Sequence, residues 1–256
     1  MSHTMTLRPD AFSPRQAAAI AGAAYLITDA GAIFSELYVR PMLVAGGDAA
    51  RTASNIAAHA QMFRGSLVAD LLSGAGVVIL NLALFELLAP VHRSLARLAA
   101  FWRLVEVAIG AAITVSGFMV LSLVSGSGYA QAFQPRELQA LVRLLVAAQA
   151  SGYGIMLLFF SLGSTTYCYL LVRSRYIPRP LALLALGGSA MVALFVLARM
   201  LFPASVAAAV AAVRGLPAVA LVSLGVILLP ILAFEILLGT WLLVKGVRIP
   251  QQLETP

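Results

Sequence analysis

The sequence predicts an all-α integral membrane protein, a six-transmembrane-helix bundle with short surface helices in the outer loops. Three observations lead there. Of the 256 residues, 61% are hydrophobic and 11% charged, against about 45–50% and about 25% in soluble domains. Mean hydropathy is +0.96. The apolar residues fall into six runs of membrane-crossing length, bounded by arginine, proline, glycine or polar residues.

Residues 1–16 hold Arg8, Pro9, Asp10 and Arg15 and read as a polar tail. The first span covers 16–39 and closes at Arg40-Pro41. The stretch GGDAARTASNIAAHAQ within 42–61 is too polar to cross and suits a short helix on the membrane surface. The second span covers 64–89 and ends at Pro90; the linker VHRSLARL leads to the third, 99–124, which Ser125 to Gly128 break. Polar residues 129–140 precede the fourth span, 141–172, and the turn RSRYIPRP separates it from the fifth, 181–201. The Ala-rich middle of PASVAAAVAAVRGLP is too short to cross. The sixth span, 218–244, closes at Lys245-Gly246. The domain plan is thus a tail at 1–16, a six-helix transmembrane domain at 17–248 and a tail at 249–256.

Arginine and lysine counts set the orientation. The two tails and the second–third and fourth–fifth loops hold nine (Arg8, Arg15, Arg93, Arg97, Arg173, Arg175, Arg179, Lys245, Arg248). The other side holds seven, of which Arg40, Arg64, Arg143 and Arg199 sit at helix ends. Both termini are expected in the cytoplasm. A net charge of +7 spread over several loops is a topogenic pattern and not a phosphate-tracking patch, so no nucleic-acid partner is expected.

Acids and arginines inside the spans are the candidate functional residues, because each costs about 2.5–3.5 kcal/mol at the bilayer centre and must find a partner or a use. On the first helix Asp29, Glu36 and Arg40 are spaced by seven and four and share one stripe at 3.6 residues per turn. Asp70, Gly74 and Asn81 share a face of the second helix; Arg103 and Glu106 lie three apart on the third; Glu235 follows Pro230 on the sixth. The fourth helix aligns Gln149, Tyr153, Ser164 and Tyr167. Under one reading, Glu36, Arg40, Arg64 and Arg103 make structural ion pairs that fix helix packing. Under the other, Asp29, Asp70, Glu106, Glu235, Gln149 and Tyr153 line a carboxylate-rich cavity for a small solute, ion or proton. Asp29 favours the second reading most, as an acid at mid-bilayer with no partner on its own helix.

Cys168 is the single cysteine, which excludes an intramolecular disulfide, and it reads as a small buried apolar residue. His3, His59 and His92 are too scattered for a metal cluster. Catalytic fingerprints such as GxSxG, HExxH and GxxxxGK[ST] are absent, so neither an enzyme, a metal nor a cofactor is expected. Tyr38, Trp102, Tyr176 and Trp241 near span ends suit an aromatic belt, while Gly110, Gly117 and Gly187-Gly188-Ser189 suit close helix packing. Six spans without an inverted repeat are few for a transporter, so a transport reading calls for a homodimer beside the lipid bilayer, with a small-molecule ligand the sequence does not specify. The rival is a structural or accessory membrane protein whose charges only lock the bundle.

The run AAYLITDAGAIFSELYVRPMLVAGGDAARTASNI, then FRGSLVADLL, PVHRSLARLAAFWRLVEVAI, the YG…LFF…YLLVRSRYIPR segment and the closing FEILLGTWLLVKGV resemble a bacterial membrane-protein family, domain of unknown function 4386, over residues 17–248. The resemblance implies an integral protein of the bacterial inner membrane with no assigned activity. Its typical positions coincide with Glu36, Arg40, Asp70, Arg103, Glu106 and Glu235, without giving them roles.

Overall fold

The structure, a computed structural model, describes residues 12–125, 128, 131, 133–214 and 222–247, with 209–214 and 222–230 as backbone alone. Most of both expected tails, with His3, Arg8 and Arg248, lies outside the described residues, as do 126–127 of the Ser125–Gly128 break and 215–221. The described residues are helical, with no strand among them. In chain order they form α1 (Pro14–Ala32), a π-helix (Ile33–Val39), α2 (Arg40–Leu43), α3 (Ala49–Ala58), α4 (Ala60–Val124), α5 (Pro135–Ser174), α6 (Arg179–Leu201), α7 (Pro203–Arg214) and α8 (Val222–Val244). Among the described residues four helical stretches are long and apolar enough to cross a membrane: Pro14–Leu43, Ala60–Val124, Pro135–Ser174 and Arg179–Leu201; Ile231–Val244 is a shorter apolar one.

Local chemistry sets the boundaries. Ser13 and Gln16 exchange hydrogen bonds, the Gln16 N–H to Ser13 Oγ (3.2 Å) and the Ser13 N–H to Gln16 Oε1 (3.0 Å), a capping box that starts α1. Asp48 caps α3 by accepting from the Arg51 N–H at 2.9 Å, and Thr52 and Asn55 bond back to carbonyls of Ala45 and Leu43. The polar outer loop thus holds a short helix, as its composition suggests, and buried Ile56 anchors it. Glu137 reaches back to the Gln134 N–H (2.8 Å) at the start of α5. At the end of α8 the Gly246 N–H bonds the Trp241 carbonyl with φ +66°, a left-handed termination that glycine permits.

The 65 residues of α4 would span roughly 98 Å if straight, about twice a bilayer. They are instead broken at His92, whose backbone is extended (φ −164°, ψ 95°). Pro90 removes one helical donor, and His92 Nδ1 then accepts from the Leu95 N–H at 3.3 Å, capping the returning arm. Contacts between the arms show the fold-back: Asn81 Nδ2 donates to the Ala100 carbonyl at 3.0 Å, Gly74 lies against Val107 and Gly117 against Leu67. The stretch 91–98, expected as a linker, is therefore helical except at His92, because a one-residue cap replaces the loop.

The chain forms two compact units. One comprises Met1–Leu26, Val78–Leu104 and Leu158–Pro256. Its apolar core gathers Ala17, Ala21, Leu84, Leu88, Ala96, Leu170 and Leu242, and α6 packs on α8. Gly22 of α1 meets Gly239 of α8 with no room for a side chain between them. Tyr176, expected in an aromatic belt, is only 5% exposed and packs in this core, because the short turn between α5 and α6 folds its ring inward. Trp102 likewise packs against Phe159, 5.7 Å between ring centroids with the rings tilted by 40°. Gly187 has open space around it and lines, with Gly188 and Ser189, an apolar cavity of about 290 Å³, so close packing does not explain it. The other unit comprises Ile27–Val77 and Val105–Leu157, with a core of Val39, Leu43, Ile56, Phe63, Leu67, Val120 and Val142.

Candidate functional site

The unit of Ile27–Val77 and Val105–Leu157 builds its polar centre around the π-helix. Pro41 lacks an N–H and its ring crowds the carbonyl four residues back, so the helical ladder slips one position ahead of it and the Arg40 N–H bonds the Ser35 carbonyl. The widened turn buries the Ser35 side chain and sets Glu36 beside Arg40. Arg40 Nε lies 2.6 Å from Glu36 Oε1, and Arg40 Nη2 lies 3.5 Å from Asp70 Oδ2 on α4. The three side chains are 13–21% exposed, so little water screens them. Ser35 also lies beside the Asp70 carboxyl. Two carboxylates thus share one guanidinium, which leaves a negative charge over when both are ionised.

Tyr153 of α5 completes the centre. Its ring is partly exposed, but its hydroxyl interacts electrostatically with Glu36, Arg40, Asp70 and Glu106. Glu106 is buried and partnered. Gln149, one turn before Tyr153, is 3% exposed; its Nε2 packs against Gly117 and has no hydrogen-bond acceptor among the described residues. Asp29 is buried in the same unit and is not without a partner. Next to it, Ser73 Oγ donates to the Thr28 carbonyl at 3.4 Å.

The unit of Met1–Leu26, Val78–Leu104 and Leu158–Pro256 has a polar set of its own. Tyr167 of α5 donates to Asn81 Oδ1 at 2.6 Å, and Asn81 in turn donates to the Ala100 carbonyl. Buried Arg103 stacks on Phe160, its guanidinium carbon 4.8 Å from the ring centroid, and Gly163 leaves room for its aliphatic stem. Arg103 and half-buried Glu235 both interact electrostatically with Cys168, which is buried next to Ser189. Cys168 therefore sits as a small core residue, in keeping with its sequence context.

Of the residues expected to line one cavity, the structure gathers Asp70, Glu106 and Tyr153 with Glu36 and Arg40 in one unit, and places Glu235 with Arg103 in the other. Asp70 pairs with Arg40 instead of standing open. Arg64 is exposed and makes no ion pair among the described residues, because its position on α4 turns it outward. Ser35 escaped sequence reasoning: an α-helical wheel does not rotate it toward Asp70, and only the slip before Pro41 could have signalled it. No group of three or more His, Cys, Asp or Glu among the described residues is placed to hold a metal ion.

The model of a family, a domain of unknown function (DUF4386), matches residues 20–246. No curated protein and no solved structure is significantly similar to the chain.

Proposed function

Since this chain belongs to the DUF4386 family, which carries no assigned activity, we propose that it is a non-enzymatic, six-span protein of the bacterial inner membrane whose Glu36–Arg40–Asp70 trio takes up and releases a proton as the protein moves or senses a small solute. The observation that carries this reading is one guanidinium shared by two mostly buried carboxylates. Burial opposes the charged form of a carboxyl group, and a second carboxylate opposes it further. One added proton converts the trio to a neutral set without separating any residues. A metal ion would need more ligands than the described residues bring together.

The six-span count draws support from the fold-back of α4 at His92, which turns four long helical stretches into five arms, and from α8 as the sixth. With an even number of spans, the arginine and lysine distribution favours both termini in the cytoplasm. Transport through so few spans calls for a second copy of the chain.

The test is proton flux into proteoliposomes with a trapped pH dye. The parent protein takes up protons under an imposed gradient; Glu36→Gln and Asp70→Asn, reconstituted at equal yield, lose most of that flux. A parent without flux, or variants that keep it, overturns the proposal. Reporter fusions at each terminus test the orientation.

A further inference from the structure

In the unit of Met1–Leu26, Val78–Leu104 and Leu158–Pro256, one core cluster joins the start of α1 (Ala17, Ala18), the bend of α4 (Leu88, Ala96), the α5–α6 turn (Tyr176, Ile177) and the end of α8 (Leu242). Those helix ends therefore lie together. Exposed basic residues flank each of them: Arg15 on α1, Arg93 and Arg97 after the bend, Arg173, Arg175 and Arg179 about the turn, and Lys245 after α8. None of these makes an ion pair among the described residues, and no described Asp or Glu lies within six positions of any of them in sequence.

The α5–α6 turn is built to hold its shape. Buried Ser174 Oγ donates to the Leu171 carbonyl (3.1 Å) and accepts from the Tyr176 N–H (3.3 Å), while Tyr176 and Ile177 are buried behind the arginines. Just beyond the basic residues the same surface becomes apolar: Leu98 beside Arg97, Leu183 and Leu184 one turn from Arg179, and Val244 beside Lys245 are all exposed. Charge at the helix ends with exposed aliphatic side chains directly behind it matches a molecule with an anionic head and a hydrocarbon tail. A nucleic acid has no counterpart for the apolar band.

We propose that this basic collar binds the phosphate headgroups of anionic phospholipids, whose acyl chains lie along the exposed aliphatic side chains behind it. A zwitterionic headgroup carries no net charge to offset seven cations that make no ion pair among the described residues, whereas an anionic one does. Arginine also grips a phosphodiester through two parallel hydrogen bonds. The inference rests on the membrane reading above but uses neither Glu36 nor Asp70.

The experiment is lipid binding to the full chain in detergent, followed by native mass spectrometry, with dioleoyl phosphatidylglycerol against dioleoyl phosphatidylcholine. Phosphatidylglycerol binds about tenfold or more tightly, since each basic residue near a headgroup contributes roughly fivefold, and raising salt from about 50 to about 500 mM erodes the difference. The triple variant Arg173→Gln, Arg175→Gln, Arg179→Gln loses most of the discrimination while keeping the melting temperature it has in neutral lipid. Arg93→Gln with Arg97→Gln repeats the test from a different helix end, should the turn variant fold poorly. Equal binding of the two lipids overturns the proposal, as does undiminished discrimination in both variants. An RNA oligonucleotide that displaces phosphatidylglycerol at equal concentration overturns it in favour of a general polyanion site. Each of these outcomes leaves the proton-flux test above standing by itself.

Discussion

Arg40 of α2 reaches across to Asp70 of α4, with Nη2 3.5 Å from Oδ2, while its Nε lies 2.6 Å from Glu36 Oε1. The two acids are not equivalent. Glu36 is tied to the same turn of chain as Arg40, but Asp70 joins two helices 30 residues apart in sequence. The helix-to-helix contact is the longer of the two, so Asp70 is held less closely by the guanidinium than Glu36 is.

Removing the arginine therefore costs more than removing either acid. Arg40→Gln leaves two neighbouring carboxylates with little water and no cation, and breaking a buried pair in this way costs about 3–5 kcal/mol. Asp70→Asn leaves the neutral Glu36–Arg40 pair and is expected to cost about 1 kcal/mol, near the usual worth of a polar contact between membrane helices. Thermal unfolding in detergent of the two variants, with Glu36→Gln beside them, ranks the three. Equal losses for Arg40→Gln and Asp70→Asn would show that the trio does not act as a unit.

Much of this was legible beforehand, and the rest had physical reasons to be hidden. The Glu36–Arg40 pair followed from a spacing of four, which survives in the π-turn as a close contact. The apolar runs gave the long helices because length and hydropathy alone decide them. The slip before Pro41 was not legible, since proline marks a perturbation without saying how the ladder absorbs it. His92 was missed because histidine is an uncommon cap, so the sequence read as a loop. Asp29 stood out because a helical wheel tests only charge spacing, and it does not register the other contacts a buried acid can make.

The cap at His92 makes a second prediction. Its Nδ1 accepts from the Leu95 N–H at 3.3 Å and so closes the start of the returning arm. His92→Asn keeps a side-chain acceptor at that position, and His92→Ala does not. Loss of such a cap costs about 1 kcal/mol, so the alanine variant should melt several degrees below the asparagine one. If the two melt together, the bend is held by Pro90 and the packing of the arms, without help from the cap.

Tyr167 and Asn81 carry a third. The Tyr167 hydroxyl donates to Asn81 Oδ1 at 2.6 Å, and the Asn81 amide donates to the Ala100 carbonyl, so one asparagine ties α5 and both arms of α4. Tyr167→Phe removes a single bond, worth about 0.6 kcal/mol and at most about 1.7 between membrane helices. Asn81→Ala removes both side-chain bonds and leaves the tyrosine hydroxyl only the backbone carbonyl of residue 81 at 3.3 Å, so it should cost about twice as much. A double variant no worse than Asn81→Ala alone would confirm that the two residues form one network; fully additive losses would refute it.

The contact of Gly22 with Gly239 yields the last prediction. A methyl group on Gly22 would lie 2.6 Å from both the Gly239 carbonyl oxygen and the Leu243 nitrogen, which are backbone atoms that no side-chain rotation can clear. Gly22→Ala must therefore push α1 and α8 apart, and overpacking of this kind costs about 1–3 kcal/mol. Gly187→Ala is the control, because nothing lies within 4 Å of the methyl group it would add. There the substitution only raises helix propensity, by about 1 kcal/mol, and stability should hold or rise. Melting temperatures of the two variants in the same detergent decide the matter. Equal stability of Gly22→Ala and Gly187→Ala would mean that the backbones of α1 and α8 do not approach as closely as the structure places them.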